Sequence, residues 1–121
     1  GIDTAVLQAD RPAAVRELAQ RFGLVVVLKG AGSLVAAPDG RLALCDRGHP
    51  AMAGAGLGDV LAGLIGALLA QGMAAYDASC LAVWLHARAG EVLAVQGRGL
   101  AAGALPCTLR QLLEEVCPCT K

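Results

Sequence analysis

The sequence predicts an α/β fold in which helices are layered against a small sheet that is incomplete on one side. Three observations predict it. LVVVLK, residues 24 to 29, is a β-branched run without polar alternation, which reads as a strand covered on both faces, as in a parallel sheet. Two short apolar runs flank Pro38-Asp39-Gly40 and read as a β-hairpin over residues 34 to 45. The rest of the chain has helical periodicity in four segments. A covered strand wants neighbours on both edges, and three strands do not supply them. Either other chains complete the sheet or residues 1–121 are a single partial domain, and we favour the second.

Taken in order, Asp10 caps a helix that runs through Phe22, because Val15, Leu18, Ala19 and Phe22 fall at i, i+3, i+4 and i+7. Gly23 ends it. The strand and then the loop Lys29-Gly30-Ala31-Gly32-Ser33 lead into the hairpin. Residues 59 to 71 form the next helix. Glycine weakens an exposed helix by about 1 kcal/mol, so Gly63 and Gly66 imply close approach of a neighbouring element. Asp77 or Ser79 opens a helix through about Val95, with Leu81, Leu85, Val92 and Val95 facing inward. Thr108 and Gln111 form a capping box for a last helix that ends near Val116.

The 121 residues are enough for one domain with a real core. At 56% hydrophobic with one Trp, one Tyr and one Phe, that core is built of small aliphatic side chains. Ten basic and ten acidic residues cancel and no basic run exists, which argues against nucleic acid and anionic membrane as main partners. The longest apolar stretch, Val60 to Ala70, falls short of the roughly 20 residues of a membrane span. The start shows no signal-peptide pattern. Five cysteines, odd in number and without zinc-finger spacing, suggest reduced thiols in a cytoplasm. Cys117-Pro118-Cys119 is too close for a CxxC redox site.

Two glycine-bearing loops carry the chemistry. Lys29 to Ser33 follows the carboxyl end of a strand, where ligands of α/β sheets bind. Gly54-Ala55-Gly56-Leu57-Gly58-Asp59 opens a helix. Small residues leave successive backbone N–H groups uncovered, and a helix start adds about half a positive charge. Together they make an anion hole suited to phosphate, although the GxxxxGK[ST] order is absent. The plain explanation of Asp59 is helix capping. Beside a phosphoryl acceptor, however, it would take the proton from an attacking hydroxyl. Plain readings serve elsewhere: His49 as a loop histidine, His86 as a satisfied half-buried one, Trp84 as packing, and Arg41, Arg47, Arg88 and Arg98 as solvated. Arg47 is the arginine best placed for phosphate.

DRGHPAMAGAGLGDVLAGLIGALLAQG, VVVLKGAGSLVAAPDG and VWLHARAGE resemble, in order, the signatures of ADP/ATP-dependent NAD(P)H-hydrate dehydratases, which have the ribokinase-like fold. The resemblance covers nearly the whole chain and corresponds to the C-terminal half of that domain. It implies an enzyme that uses ADP or ATP, with Mg2+, to dehydrate hydrated NADH or NADPH, and a homo-oligomer. By matching motif, Lys29, Gly30, Ala31, Gly32, Ser33 and Gly58 contact the nucleotide. Ala55, Gly56, Leu57 and Gly58 form the anion hole, and Asp59 meets the hydrated nicotinamide as base. His49 stands where the family has Asn, Ala51 and Ala55 where it has Gly, and Gly54 where Thr or Ser is frequent. Leu57 removes a further possible hydroxyl. Backbone amides survive these changes. Two other readings are a ribokinase-like kinase of a thiazole or pyrimidine alcohol, and an inactive fragment that only self-associates.

Overall fold

The computed structural model describes residues 10–30 and 32–118, so Ala31 and Cys119, both named above, lie outside the described residues. Helix α1 (Arg11–Phe22) starts where the sequence says. The Asp10 carboxylate accepts the Ala13 N–H at 3.2 Å, and Pro12 in the first turn has no N–H to leave unpaired. The helix stops at Gly23, whose φ of 63° suits glycine and whose N–H bonds back to the Ala19 carbonyl.

Strands β1 (Val26–Leu28), β2 (Ser33–Ala36) and β3 (Leu42–Cys45) form an antiparallel sheet in that order. The hairpin stands as expected, beginning one residue early: Ser33 pairs with Cys45 and Ala36 with Leu42. Its turn is closed by the Ala37 N–H on the Arg41 carbonyl at 2.9 Å, with Gly40 at φ 98°. Asp39 accepts the Arg41 N–H at 3.0 Å and pairs with its guanidinium at 2.8 Å. That guanidinium also lies over the Tyr76 ring, so Arg41 is exposed but not merely solvated.

The parallel strand expected at 24–29 is corrected. β1 runs antiparallel to β2, is half-buried, and is preceded by Leu24 at 60% exposure. A parallel neighbour needs a crossover of about a dozen residues, and only the short segment 29–32 leads from β1 to β2. The strand covered on both faces is β2. Leu34 and Ala36 meet Val15 and Ala19 of α1, while Val35 faces Leu61, Leu68, Ala78, Ala82 and Val83.

After β3, a 3-10 turn (Pro50–Ala53) leads to α2 (Leu57–Ala70), then α3 (Ala75–Ala94), a second 3-10 turn (Ala102–Ala104) and α4 (Leu105–Val116). α2 and α3 cover the sheet face opposite α1, and α4 covers α2 and α3 in turn. Leu105, Leu109 and Leu112 close round Leu57, Leu85 and Ala89. Alanines at 78, 82 and 89 have no exposed surface, as the small-aliphatic composition requires.

Three helix expectations are corrected. α2 begins two residues before Asp59, and a Cβ at Gly63 or Gly66 meets nothing within 4 Å among the described residues, so no element approaches closely there. On α3, Leu85 is buried and Leu81 half-buried, but Val92 is 36% exposed, and Val95, which follows the last helical residue, is 87% exposed. There is no capping box at Thr108: the helix starts at Leu105, and Thr108 is buried inside it. Pro106, in the first turn, was the true start signal. Among the described residues no helix is long and apolar enough to cross a membrane, and Cys45, Cys80, Cys107 and Cys117 are free thiols.

Candidate functional site

A cleft of about 690 Å³ opens where the two glycine loops meet. Lys29, Gly30, Gly32 and Ser33, after β1, form one lip, and residues 46 to 50, after β3, form the other. Leu57 and Gly58 of α2 and Val83, His86 and Ala87 of α3 line the base. The joint between the loops is a contact of Lys29 with Gly58: a Cβ at position 58 would overlap the Lys29 Nζ.

The local chemistry is cationic. Gly56 takes φ 82° to start α2 and has no side chain with which to cap it, so the first-turn N–H groups keep their partial positive charge. Lys29 is exposed and pairs with no carboxylate among the described residues. Arg47 lines the second lip. Arg11, from α1, donates to the Leu28 carbonyl at 3.3 Å and lies against Gly30. The only carboxylate lining the cleft, among the described residues, is Asp46. An ammonium beside a helix start repels it unless an anion lies between, so the arrangement is chemically suited to accept an anion such as a phosphate.

Ser33 turns back on its own loop: its Oγ accepts the Gly30 N–H at 3.4 Å and donates to the Gly30 carbonyl at 3.3 Å. Of the residues the sequence singled out, Lys29, Gly30, Gly32, Ser33, Leu57 and Gly58 come together on the cleft. Ala55 and Gly56 are exposed on the approach to α2 and do not line it. Asp59 is exposed in the first turn of α2, outside the lining. Ala31 lies outside the described residues.

The plain readings of the histidines hold. His49 Nδ1 accepts the Ala51 N–H at 3.0 Å and so caps the 3-10 turn. His86 is half-buried, with Nε2 2.9 Å from the Leu57 carbonyl, which makes Nε2 the protonated nitrogen. Trp84 packs into the cluster between α2, α3 and α4. Arg47 and Arg88 are not simply solvated, since both pair with Glu91, at 3.0 and 3.2 Å. Glu91 escaped the sequence reading. Its only local signal is the i, i+3 spacing to Arg88, and its bonds to Arg47 and Gly48 cross more than forty positions.

Burial first, and then the Lys29 charge, push the His86 pKa below its ordinary value, against the Leu57 hydrogen bond that raises it. The unfolded chain therefore takes up this proton at higher pH than the folded one. The His86 contribution is fully present above pH about 6.5 and is lost as pH falls from there toward the lowered folded value. Replacing His86 by Gln, which keeps an N–H donor, is expected to reduce the drop in melting temperature between pH 7.5 and 5.5. An unchanged drop would show that His86 does not titrate this way.

The sequence profile of the NAD(P)H-hydrate dehydratase family matches residues 2–114. The ADP-dependent (S)-NAD(P)H-hydrate dehydratase of Neisseria meningitidis is 48% identical over 105 residues, which is 87% of this chain and 35% of that protein. The bifunctional NAD(P)H-hydrate repair enzyme Nnr of Vibrio cholerae is 49% identical over 116 residues, 93% of this chain and 23% of that one. Among solved structures, Bacillus subtilis YxkO superposes with a TM-score of 0.86 at 31% identity, covering 95% of this chain and 44% of YxkO. The B. subtilis ADP/ATP-dependent NAD(P)H-hydrate dehydratase, co-crystallised with ATP/Mg2+ and soaked with CoA, gives 0.85 at 31% identity, covering 95% and 43%. The chain thus spans about a third or less of these curated relatives and under half of these solved chains.

Proposed function

This chain belongs to the NAD(P)H-hydrate dehydratase family, and from that premise we propose that it is the nucleotide-binding half of a ribokinase-like domain that uses ADP or ATP to dehydrate hydrated NADH or NADPH. One observation carries the reading: the Lys29 ammonium, with no carboxylate partner among the described residues, rests on Gly58 at the uncapped start of α2 and on the edge of a cleft.

In this reading Lys29 and the amides of Leu57 and Gly58 hold the terminal phosphate, and Ala55 and Gly56 complete the anion hole from the exposed side. The loop 29–33 flanks the rest of the nucleotide. Asp59 sits one helical step, about 100°, round from Gly58, so the acid and the phosphate site are adjacent without sharing a wall. Its carboxylate takes the proton of the hydrate's hydroxyl as that oxygen bonds to the terminal phosphorus and the phosphoanhydride bond behind it breaks, releasing AMP from ADP or ADP from ATP. The carbon–oxygen bond then breaks, phosphate leaves, and loss of a proton from the neighbouring carbon restores the double bond of the reduced nicotinamide.

Magnesium belongs to the same reading. No three acidic, histidine or cysteine side chains gather to hold a metal among the described residues, and Asp46 alone lends a carboxylate to the cleft. Such a donor set fits an ion held mostly by phosphate oxygens and water, which would neutralise phosphate charge when bound. A cytoplasmic homo-oligomer is the accompanying expectation, in keeping with the free thiols and with Leu24, Leu44 and Val95 exposed at the surface.

The test is recovery of reduced-nicotinamide absorbance from hydrated NADH with ADP and magnesium, in a chimaera carrying this chain in place of the matching segment of the Neisseria enzyme. A kinase of an unrelated alcohol would restore none. In the same chimaera, Asp59→Asn is expected to keep nucleotide affinity within about threefold while turnover falls by roughly a hundredfold or more, the scale of general-base loss. Undiminished turnover would remove Asp59 as the base.

A further inference from the structure

Helix α3 carries two adjacent residues that the reaction leaves without a role, Gly90 and Glu91. Both reach the segment that forms the second lip of the cleft and leads on toward α2. Glu91 Oε1 accepts the Gly48 N–H at 2.9 Å. Its Oε2 receives Arg47 at 3.0 Å and Arg88 at 3.2 Å. The Gly48 amide first, and then the guanidiniums, hold this carboxyl below its ordinary range, so it stays charged at neutral pH. Gly48 has φ 132°, a backbone that side-chain-bearing residues rarely adopt.

The neighbouring residue holds the other end. Gly90 is buried, and the Met52 side chain occupies the space that a Cβ there would need. Between these attachments His49 stiffens the backbone, its ring accepting from Ala51 and its carbonyl from Met52 at 2.9 Å. Residues 47 to 52 are therefore fastened at both ends to one step of α3.

The geometry points to Gly90 and Glu91 as positioning residues for the phosphate site: they dock the 47–52 segment on α3 and so set where Arg47 faces the cleft and where the chain enters the Gly54–Gly58 turn. The inference rests on the nucleotide reading above. Glu91 also partly neutralises Arg47, whereas Lys29 pairs with no carboxylate among the described residues.

The experiment compares wild type, Glu91→Ala, Glu91→Gln and Gly90→Ala. Calorimetric titration with Mg-ADP reads affinity, and amide hydrogen exchange reads residues 46–53 against α1. Glutamine keeps an oxygen for the Gly48 N–H but not the charge. Glu91→Ala is expected to lose about tenfold or more in affinity, as for a lost charge-assisted bond, and to speed exchange in 46–53 while α1 is unchanged. Glu91→Gln should recover most of both, and Gly90→Ala, which expels Met52, should resemble Glu91→Ala. Unchanged affinity and exchange in Glu91→Ala would overturn the assignment. So would acceleration spread equally over α1 and 46–53 with no rescue by glutamine, which is loss of global stability. If wild type binds no Mg-ADP while Glu91→Ala still loosens 46–53 alone, the docking is upheld and the nucleotide reading is what fails.

Discussion

Lys29→Met is expected to weaken Mg-ADP binding by roughly ten- to a hundredfold, the range for removing a charge-assisted hydrogen bond to phosphate. The melting temperature without nucleotide should hold or rise slightly. Lys29 is exposed, pairs with no carboxylate among the described residues, and stands at the positive end of α2, so its charge does nothing for the fold that methionine would lose. Lys29→Arg should regain only part of the affinity, because a planar guanidinium does not fit the space over Gly58 that the ammonium fills. The pair of readouts separates binding from folding. Equal affinity in wild type and Lys29→Met would show that the ammonium touches no phosphate.

The largest effect on stability belongs to Leu85→Ala. Leu85 has no exposed surface and sits on α3 among Leu57, Leu105, Leu109 and Leu112. Removing its branched end leaves a void between three helices, at a cost of about 2–5 kcal/mol. For a chain of this size that is a fall in melting temperature of roughly 10 °C or more. Val95→Ala, just past the end of the same helix and 87% exposed, should change it by no more than about 1–2 °C. Comparable shifts in the two variants would refute the placement of the core. Because Leu57 belongs to this cluster and also lines the cleft, Leu85→Ala should weaken Mg-ADP binding too.

What the sequence revealed about the fold was its local chemistry. Asp10 and Gly23 bound α1, and Asp39-Gly40 turns the hairpin, because each signal and its structural answer lie within a few residues. Strand direction was not local. A run of valines reads alike in either sheet, and the short return through residues 29–32 decided it. Periodicity also misplaced the end of α3: the covered stripe runs through Leu85, Ala89 and Leu93, which leaves Val92 on another face, and Val95 lies past the last helical residue. At the cleft, the sequence pointed to Lys29, Gly30, Gly32, Ser33, Leu57 and Gly58, which line it. It also pointed to Ala55, Gly56 and Asp59, which do not, because small residues near a helix start mark a region and not which of its residues face inward. Glu91 and Met52 were not legible, since a carboxylate in a helix and a methionine in a turn gain meaning only when distant segments meet.

The ammonium of Lys29 fills the void that the absent β-carbon of Gly58 leaves. Where the ammonium rests therefore depends on a residue far away in the chain. A descendant that acquires a side chain at 58 can keep the lysine, whose flexible end swings aside, but the charge then leaves its place at the mouth of the helix.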